Sequence, residues 1–147
     1  MVAIRPAVPG DATALIGLDA IAARNAPRQE AIAEWTAAGQ CHVAVSDDGE
    51  PLGYVALTRS FFRSPFIEML QVAKSARRRG VGRDLVSYCI GLTPPDQKLW
   101  TSTNQSNIPM QALLPQLGFV RCGIFEHLDP GDPELIYLRW PGGRAPA

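Results

Sequence analysis

Long hydrophobic runs are absent from this 147-residue sequence, and none of its apolar stretches approaches the ~18 residues of a membrane-spanning helix. An excess of charge is absent as well: 14 Lys+Arg are offset by 14 Asp+Glu. No global field draws in nucleic acid or an anionic membrane surface, so neither is expected as a partner. Cysteine is scarce. Cys41, Cys89 and Cys122 make an odd number with no C-x-x-C pair, which argues against a disulfide framework or a zinc site. Each is expected as a small apolar core residue, and no metal is expected. Cys41 and His42 are neighbours in what reads as a strand, so they point to opposite faces and do not work as a pair. Repeats and low-complexity segments are missing too. The start, Met-Val-Ala-Ile-Arg-Pro, lacks the basic-then-apolar layout of a secretory signal, from which a cytoplasmic protein is expected.

What is present suffices for one core. With 46% hydrophobic residues the chain has the material and the length of a single domain, expected over 1–141, with 142–147 fraying as a tail. Residues 2–5 read as a short strand. Asp11 or Thr13 can cap a helix running to about Arg24, with Leu15, Ile16, Leu18 and Ile21 as its apolar stripe. Pro27 opens a second helix that carries Ile32 and Trp35 and ends at Gly39. Alternating segments 41–45 and 52–57 flank Asp47-Asp48-Gly49, a hairpin signal. Segment 58–65 reads as a loop, and 66–73, apolar on both faces, as a central strand. A helical period starts at Val81, places Leu85, Val86, Cys89 and Ile90 on one face, and stops at Thr93-Pro94-Pro95. After a strand at 99–103, Asn107 can cap a further helix with Pro109 in its first turn and Met110, Leu113, Leu114 and Leu117 facing inward. Pro115 should end that helix early, and Gly118 suits a left-handed stop. Strands at 119–128 and 134–140 flank Asp129-Pro130-Gly131-Asp132. The order β-α-α-β-β-β-α-β-α-β-β indicates an α+β (mixed αβ) domain around one sheet.

The stretch 66–92 carries the chemistry: a buried strand, the basic turn Arg77-Arg78-Arg79-Gly80-Val81-Gly82, then a helix. A helix N-terminus holds unpaired N–H groups and a partial positive charge, and so attracts phosphate. Glycines let the backbone close on a ligand, while arginines add charge-assisted bonds. A P-loop would need Gly-Lys-Ser/Thr, where Arg83-Asp84 stand; a Rossmann fingerprint would need a third glycine, where Leu85 stands. The competing reading is a solvated basic turn with no ligand.

Val72, Arg77, Gly80 and Gly82 resemble the acyl-CoA loop of the GNAT superfamily of N-acyltransferases: five residues after a strand valine, an Arg or Gln, two residues, Gly, one residue, then Gly or Ala. Asn107, Leu113 and Leu117-Gly118-Phe119 resemble a second segment of that family at its spacing, and the element order agrees along nearly the whole chain. The resemblance implies a GNAT fold with a mostly antiparallel, splayed sheet. It also implies an N-acetyltransferase that moves the acetyl group of acetyl-CoA, its co-substrate, to a primary amine by direct attack. Under the same resemblance, backbone groups of Leu70, Gln71 and Val72 hold the pantetheine arm. The turn Arg77, Arg78, Arg79, Gly80, Val81, Gly82 and Arg83 holds the diphosphate, and Asn107 contacts the cofactor or simply caps its helix.

An alkylamine with a pKa near ~10 needs a proton acceptor at neutral pH. Glu68, the lone charged residue between Phe66 and Ala73, is the candidate base, at a position where some family members place a catalytic glutamate; the alternative is a glutamate bonded to a structural partner. One departure stands out: many relatives carry a tyrosine acid where this chain has Leu114, with Tyr88 or Ser106 as conceivable substitutes. That departure motivates a second reading, a GNAT domain that binds acyl-CoA as a sensor without turnover. For the acceptor, Arg59-Ser60-Phe61-Phe62-Arg63 reads either as an amine pocket or as core edge, and His127 and Glu134 are equally ambiguous. The identity of the amine, small metabolite or peptide, and a homodimer are left open.

Overall fold

The computed structural model of the chain describes residues 2–147. Its elements run β1 (Ala3–Pro6), α1 (Ala12–Leu18), α2 (Ala26–Ala37), β2 (Cys41–Val45), β3 (Pro51–Phe61), β4 (Ser64–Val72), α3 (Val81–Leu92), β5 (Leu99–Asn104), α4 (Ile108–Gln116), β6 (Phe119–Phe125) and β7 (Glu134–Arg139), with short 3-10 turns between some of them. Strands pair in the order β1-β2-β3-β4-β5-β7-β6. β4 and β5 are parallel, whereas β1–β2, β2–β3, β5–β7 and β6–β7 are antiparallel. The fold class is the expected one, α+β around a mostly antiparallel sheet. No helix among the described residues is long and apolar enough to cross a membrane.

Two compact units divide the chain: residues up to Leu57 with Met69–Cys89, and Thr58–Glu68 with Ile90–Ala147. In the first, α1 and α2 bury Leu15, Ile32 and Trp35 against Cys41, Val43, Tyr54 and Ala56. Each fully buried Leu or Ile contributes about 1.5–3 kcal/mol. α1 stops at Leu18, well short of Arg24. The reason is Asp19, whose Oδ1 accepts from the amides of Ile21 (3.0 Å) and Ala22 (3.2 Å), a local bond that outcompetes helix continuation. Ile21, placed by periodicity on the apolar stripe, is consequently exposed. Nor does Asp11 cap α1: its carboxylate takes Val8 N–H and pairs with Arg5. α2 is capped by Asn25, which accepts from Arg28 N–H at 2.9 Å.

The second unit holds the largest departure from expectation. Segment 58–65 is a hairpin, not a loop: β3 continues to Phe61 and β4 begins at Ser64. The turn residues Phe62 and Arg63 both take positive φ, +53° and +61°, as a primed two-residue turn requires, but without the Asn-Gly that normally announces one. α4 is capped by Asn107, whose Oδ1 accepts from Met110 N–H at 3.3 Å. It ends one residue after Pro115, and Gly118 follows at φ +90°. β6 ends at Phe125 instead of near 128. Cys122, expected in the core, is exposed because β6 is the last strand of the order and its register shifts between Arg121 and Gly123.

Candidate active site

Between β4 and α3 the backbone is set for a turn that only certain residues tolerate. After a 3-10 turn at Lys74–Ala76, Arg77 is extended, Arg78 sits at φ +64° and Gly80 at φ +77°. A Cβ built on Gly80 meets nothing within 4 Å. Glycine is thus needed there for its backbone angle, and the space above it stays open. Gly82 behaves differently: a Cβ there touches Leu70 Cδ2 and Val72 Cγ2 at 3.8 Å, so the start of α3 lies on the end of β4. The first helical bond runs from Asp84 N–H to Gly80 C=O at 3.0 Å, leaving the amides of Val81 and Gly82 without an acceptor inside the helix. Arg77, Arg78 and Arg79 are exposed beside them. Open space, a helix N-terminus and fixed positive charge meet at this turn, a combination that attracts anions.

A residue the sequence reading passed over shapes the same corner. A Cβ on Gly53 of β3 would lie 2.8 Å from Gln71 C=O and 3.3 Å from both Val72 Cα and Leu85 Cδ1. No side chain fits, so glycine lets β3 and the end of β4 approach closely. The available signal was a glycine inside a strand pattern.

In the second unit, Glu68 is half-buried on β4, and its Oε1 accepts from Ser60 Oγ at 2.6 Å and Thr58 Oγ1 at 3.0 Å. β4 and β5 are in register at Phe66↔Trp100 and Ile67↔Thr101, and there the Thr101 hydroxyl donates to Ile67 C=O at 3.0 Å. Asn107 is exposed at the head of α4, and Leu114 is fully buried.

A sequence model of the acetyltransferase (GNAT) family matches residues 12–119. The chain belongs to that family. An acetyltransferase of the GNAT family from Bacillus cereus is 33% identical, with 94% of this chain and 96% of that one covered and a TM-score of 0.85. Peptidyl-lysine N-acetyltransferase YjaB of Salmonella typhimurium is 29% identical over 120 residues, 81% of this chain and 77% of that protein. Diaminobutyrate acetyltransferase EctA from Paenibacillus lautus, solved with L-2,4-diaminobutyric acid and coenzyme A, shares the fold at 16% identity, with 100% of this chain and 98% of that one covered and a TM-score of 0.74. The activity class of this GNAT chain is acetyl-CoA-dependent acyl transfer.

Other side chains of this GNAT chain lie in varied surroundings. Ser106 Oγ donates to Asp132 Oδ2 at 2.6 Å. Tyr88 lies with its ring 5.1 Å from that of His42. Burial pushes the thiols of Cys41 and Cys89 up to about 12, so neither is a nucleophile. Phe61 packs against Phe66 and Trp100 at 5.1 and 5.3 Å, whereas Phe62 is 84% exposed. His127 is an exposed turn residue, and Glu134 is half-buried opposite Asn104. A cavity of about 410 Å³ is lined by Ile90, Pro94, Leu99, Arg139 and Pro141, among others, and by none of the predicted site residues.

Sequence reasoning also missed a buried network in the first unit. Tyr54 donates to Asp19 Oδ2 at 2.7 Å and Arg28 pairs with the same oxygen at 2.9 Å. Burial raises the Asp19 carboxyl, but the bonds from Tyr54, the Ile21 and Ala22 amides and Arg28 together outweigh it and hold the group below the usual carboxylate range.

Proposed function

We propose that the chain transfers the acetyl group of acetyl-CoA to a primary amine, that the cradle at Arg77–Arg83 and Leu70–Val72 binds the donor, and that Glu68 is the general base. The neutral amine attacks the thioester carbonyl; a C–N bond forms and the C–S bond breaks. The proton lost by nitrogen goes to Glu68, and the thiolate leaves with its electron pair to be protonated by solvent. Thiols ionise near ~8.5, so departure without a dedicated acid is workable. Amide hydrogens near Val72 polarise the thioester carbonyl, and Asn107, already capping α4, keeps its amide nitrogen for the donor's arm. The observation that carries this reading is the unfilled space above Gly80 at a helix start flanked by exposed arginines.

In support of an amine acceptor, the similar chain from Salmonella acts on peptidyl lysine and the fold neighbour EctA on a diamine. The test is Gly80→Glu, which puts a carboxylate into the cradle and clashes with φ +77°. We expect this variant to lose coenzyme A binding in calorimetry while remaining folded; affinity equal to the parent would sink the cradle assignment. A second reading, an acyl-CoA sensor, draws on Leu114, fully buried where many relatives carry a tyrosine. Acetyl-CoA at 100-fold its Kd stabilises a binder by about 2.7 kcal/mol; that stabilisation without thiol release across an amine panel favours the sensor.

A further inference from the structure

We propose that Thr58 and Ser60 are positioning residues that clamp Glu68 through one oxygen and leave the other to take the amine's proton. This rests on the reading of Glu68 as the base. The two hydroxyls occupy alternate positions on β3, beside Glu68 on β4. Ser60 Oγ–H donates to Oε1 at 2.6 Å, the length of a charge-assisted bond, and Thr58 Oγ1–H reaches the same atom at 3.0 Å. The hydroxyl oxygens are 2.9 Å apart, and the amide of Ser60 donates to Thr58 Oγ1 at 3.3 Å. That amide occupies one lone pair of Thr58 and leaves the other free to accept. With the Ser60 proton on Oε1, the Thr58 proton goes to that oxygen or to Ser60; with the Ser60 proton on Thr58, Thr58 donates to Oε1, so in every arrangement at least one hydroxyl holds Oε1. None of these bonds reaches Oε2.

The chemistry follows from that asymmetry. A glutamate has three rotatable bonds, and a base must meet its proton within hydrogen-bond reach. Hydroxyl donation to Oε1 restricts those rotations before substrate arrives, as preorganisation requires. During reaction the amine proton goes to Oε2, the C–N bond forms, the C–S bond breaks, and both hydroxyls keep their own protons. Thr58 is 4% exposed, a position where valine would pack equally well on β3, so packing alone does not call for its hydroxyl.

The experiment is steady-state thiol release from acetyl-CoA, with the best amine found in a panel of lysyl peptides, α-amino peptides and diamines. Variants are S60A, T58V, S60T and E68Q, with the double variant S60A/E68Q. A hydrogen bond to a charged group is worth about 1.5–3 kcal/mol, equivalent to roughly 10- to 160-fold. We expect kcat to fall about tenfold or more in S60A and T58V, with the KM for acetyl-CoA unchanged. S60T should restore the rate, and S60A should cost nothing further once E68Q is present, because coupled residues are non-additive. Should buried T58V fail to fold, exposed S60A still decides. Wild-type kcat in S60A beside an impaired E68Q overturns the clamp and spares the base. Wild-type kcat in E68Q overturns the base and the clamp with it, as does a panel in which the parent protein releases no thiol.

Discussion

At the scale of single residues, the glycines of the candidate site do opposite jobs. Gly80 is bare because its backbone angle demands it, with open space above, and Gly53 because backbone already stands where a side chain would go. Forcing a Cβ onto Gly53 at 2.8 Å from Gln71 C=O means that β4 must move, since a carbonyl on a paired strand cannot swing away. Overpacking of this kind costs about 1–3 kcal/mol. Gly53→Ala is therefore expected to lower the urea midpoint and, under the proposed donor site, to weaken coenzyme A binding as well, because the displaced backbone is that of Gln71–Val72. A variant with parental stability would show that the strands separate freely at this point, contrary to the geometry.

At the scale of elements, the hairpin of β3 and β4 stores strain that its residues do not advertise. Phe62 and Arg63 adopt left-handed angles costing about 1–2 kcal/mol each. The ring contact of Phe62 with Phe61, at 5.0 Å and edge-on, returns about 0.5–1.5 kcal/mol. Strain outweighs contact. Replacing the pair with Asn-Gly (Phe62→Asn, Arg63→Gly) is expected to raise stability by about 1 kcal/mol in urea unfolding. A drop instead would mean that the exposed phenyl ring contributes more than its one contact suggests. α1 carries a related lesson: its apolar spacing runs to Ile21, yet the helix ends at Leu18 because Asp19 Oδ1 accepts from the Ile21 and Ala22 amides. Periodicity reports which face would be buried; it does not report which side chain will bond back to the backbone.

At the scale of the whole molecule, buried titratable groups set how stability responds to pH. His42 is 8% exposed, its Nδ1 has no partner among the described residues, and burial holds its pKa below the usual imidazole value. The unfolded chain binds a proton near ~6.5 and the folded chain does not, so stability declines as pH falls below that value. His42→Phe keeps a ring against Tyr88 and removes the titration; its melting temperature is expected to vary less between pH 7 and 5. Identical slopes for parent and variant would assign the decline to other groups. Further down, the signs concern carboxylates. Hydrogen bonding from Arg5 is the main cause holding Asp11 at about 2, and Asp19 is also held low. The stability they contribute is present above ~3.9 and is lost as pH falls through their folded values.

What the sequence alone determined were features written in local spacing: the element order, the helix from Val81 to Leu92, the cap at Asn107, and the loop whose arginines and glycines mark an acyl-CoA transferase. Each is readable because the residues that cause it are neighbours in the chain. Tertiary structure decided the rest. Gly53 meets Gln71 across a sheet, Asp19 meets Tyr54 from 35 residues away, and Glu68 meets Thr58 and Ser60 only because a turn without turn residues folds β4 back onto β3. Close packing and hydrogen-bond satisfaction act between residues brought together by the fold, and no spacing rule along the chain encodes which partner arrives.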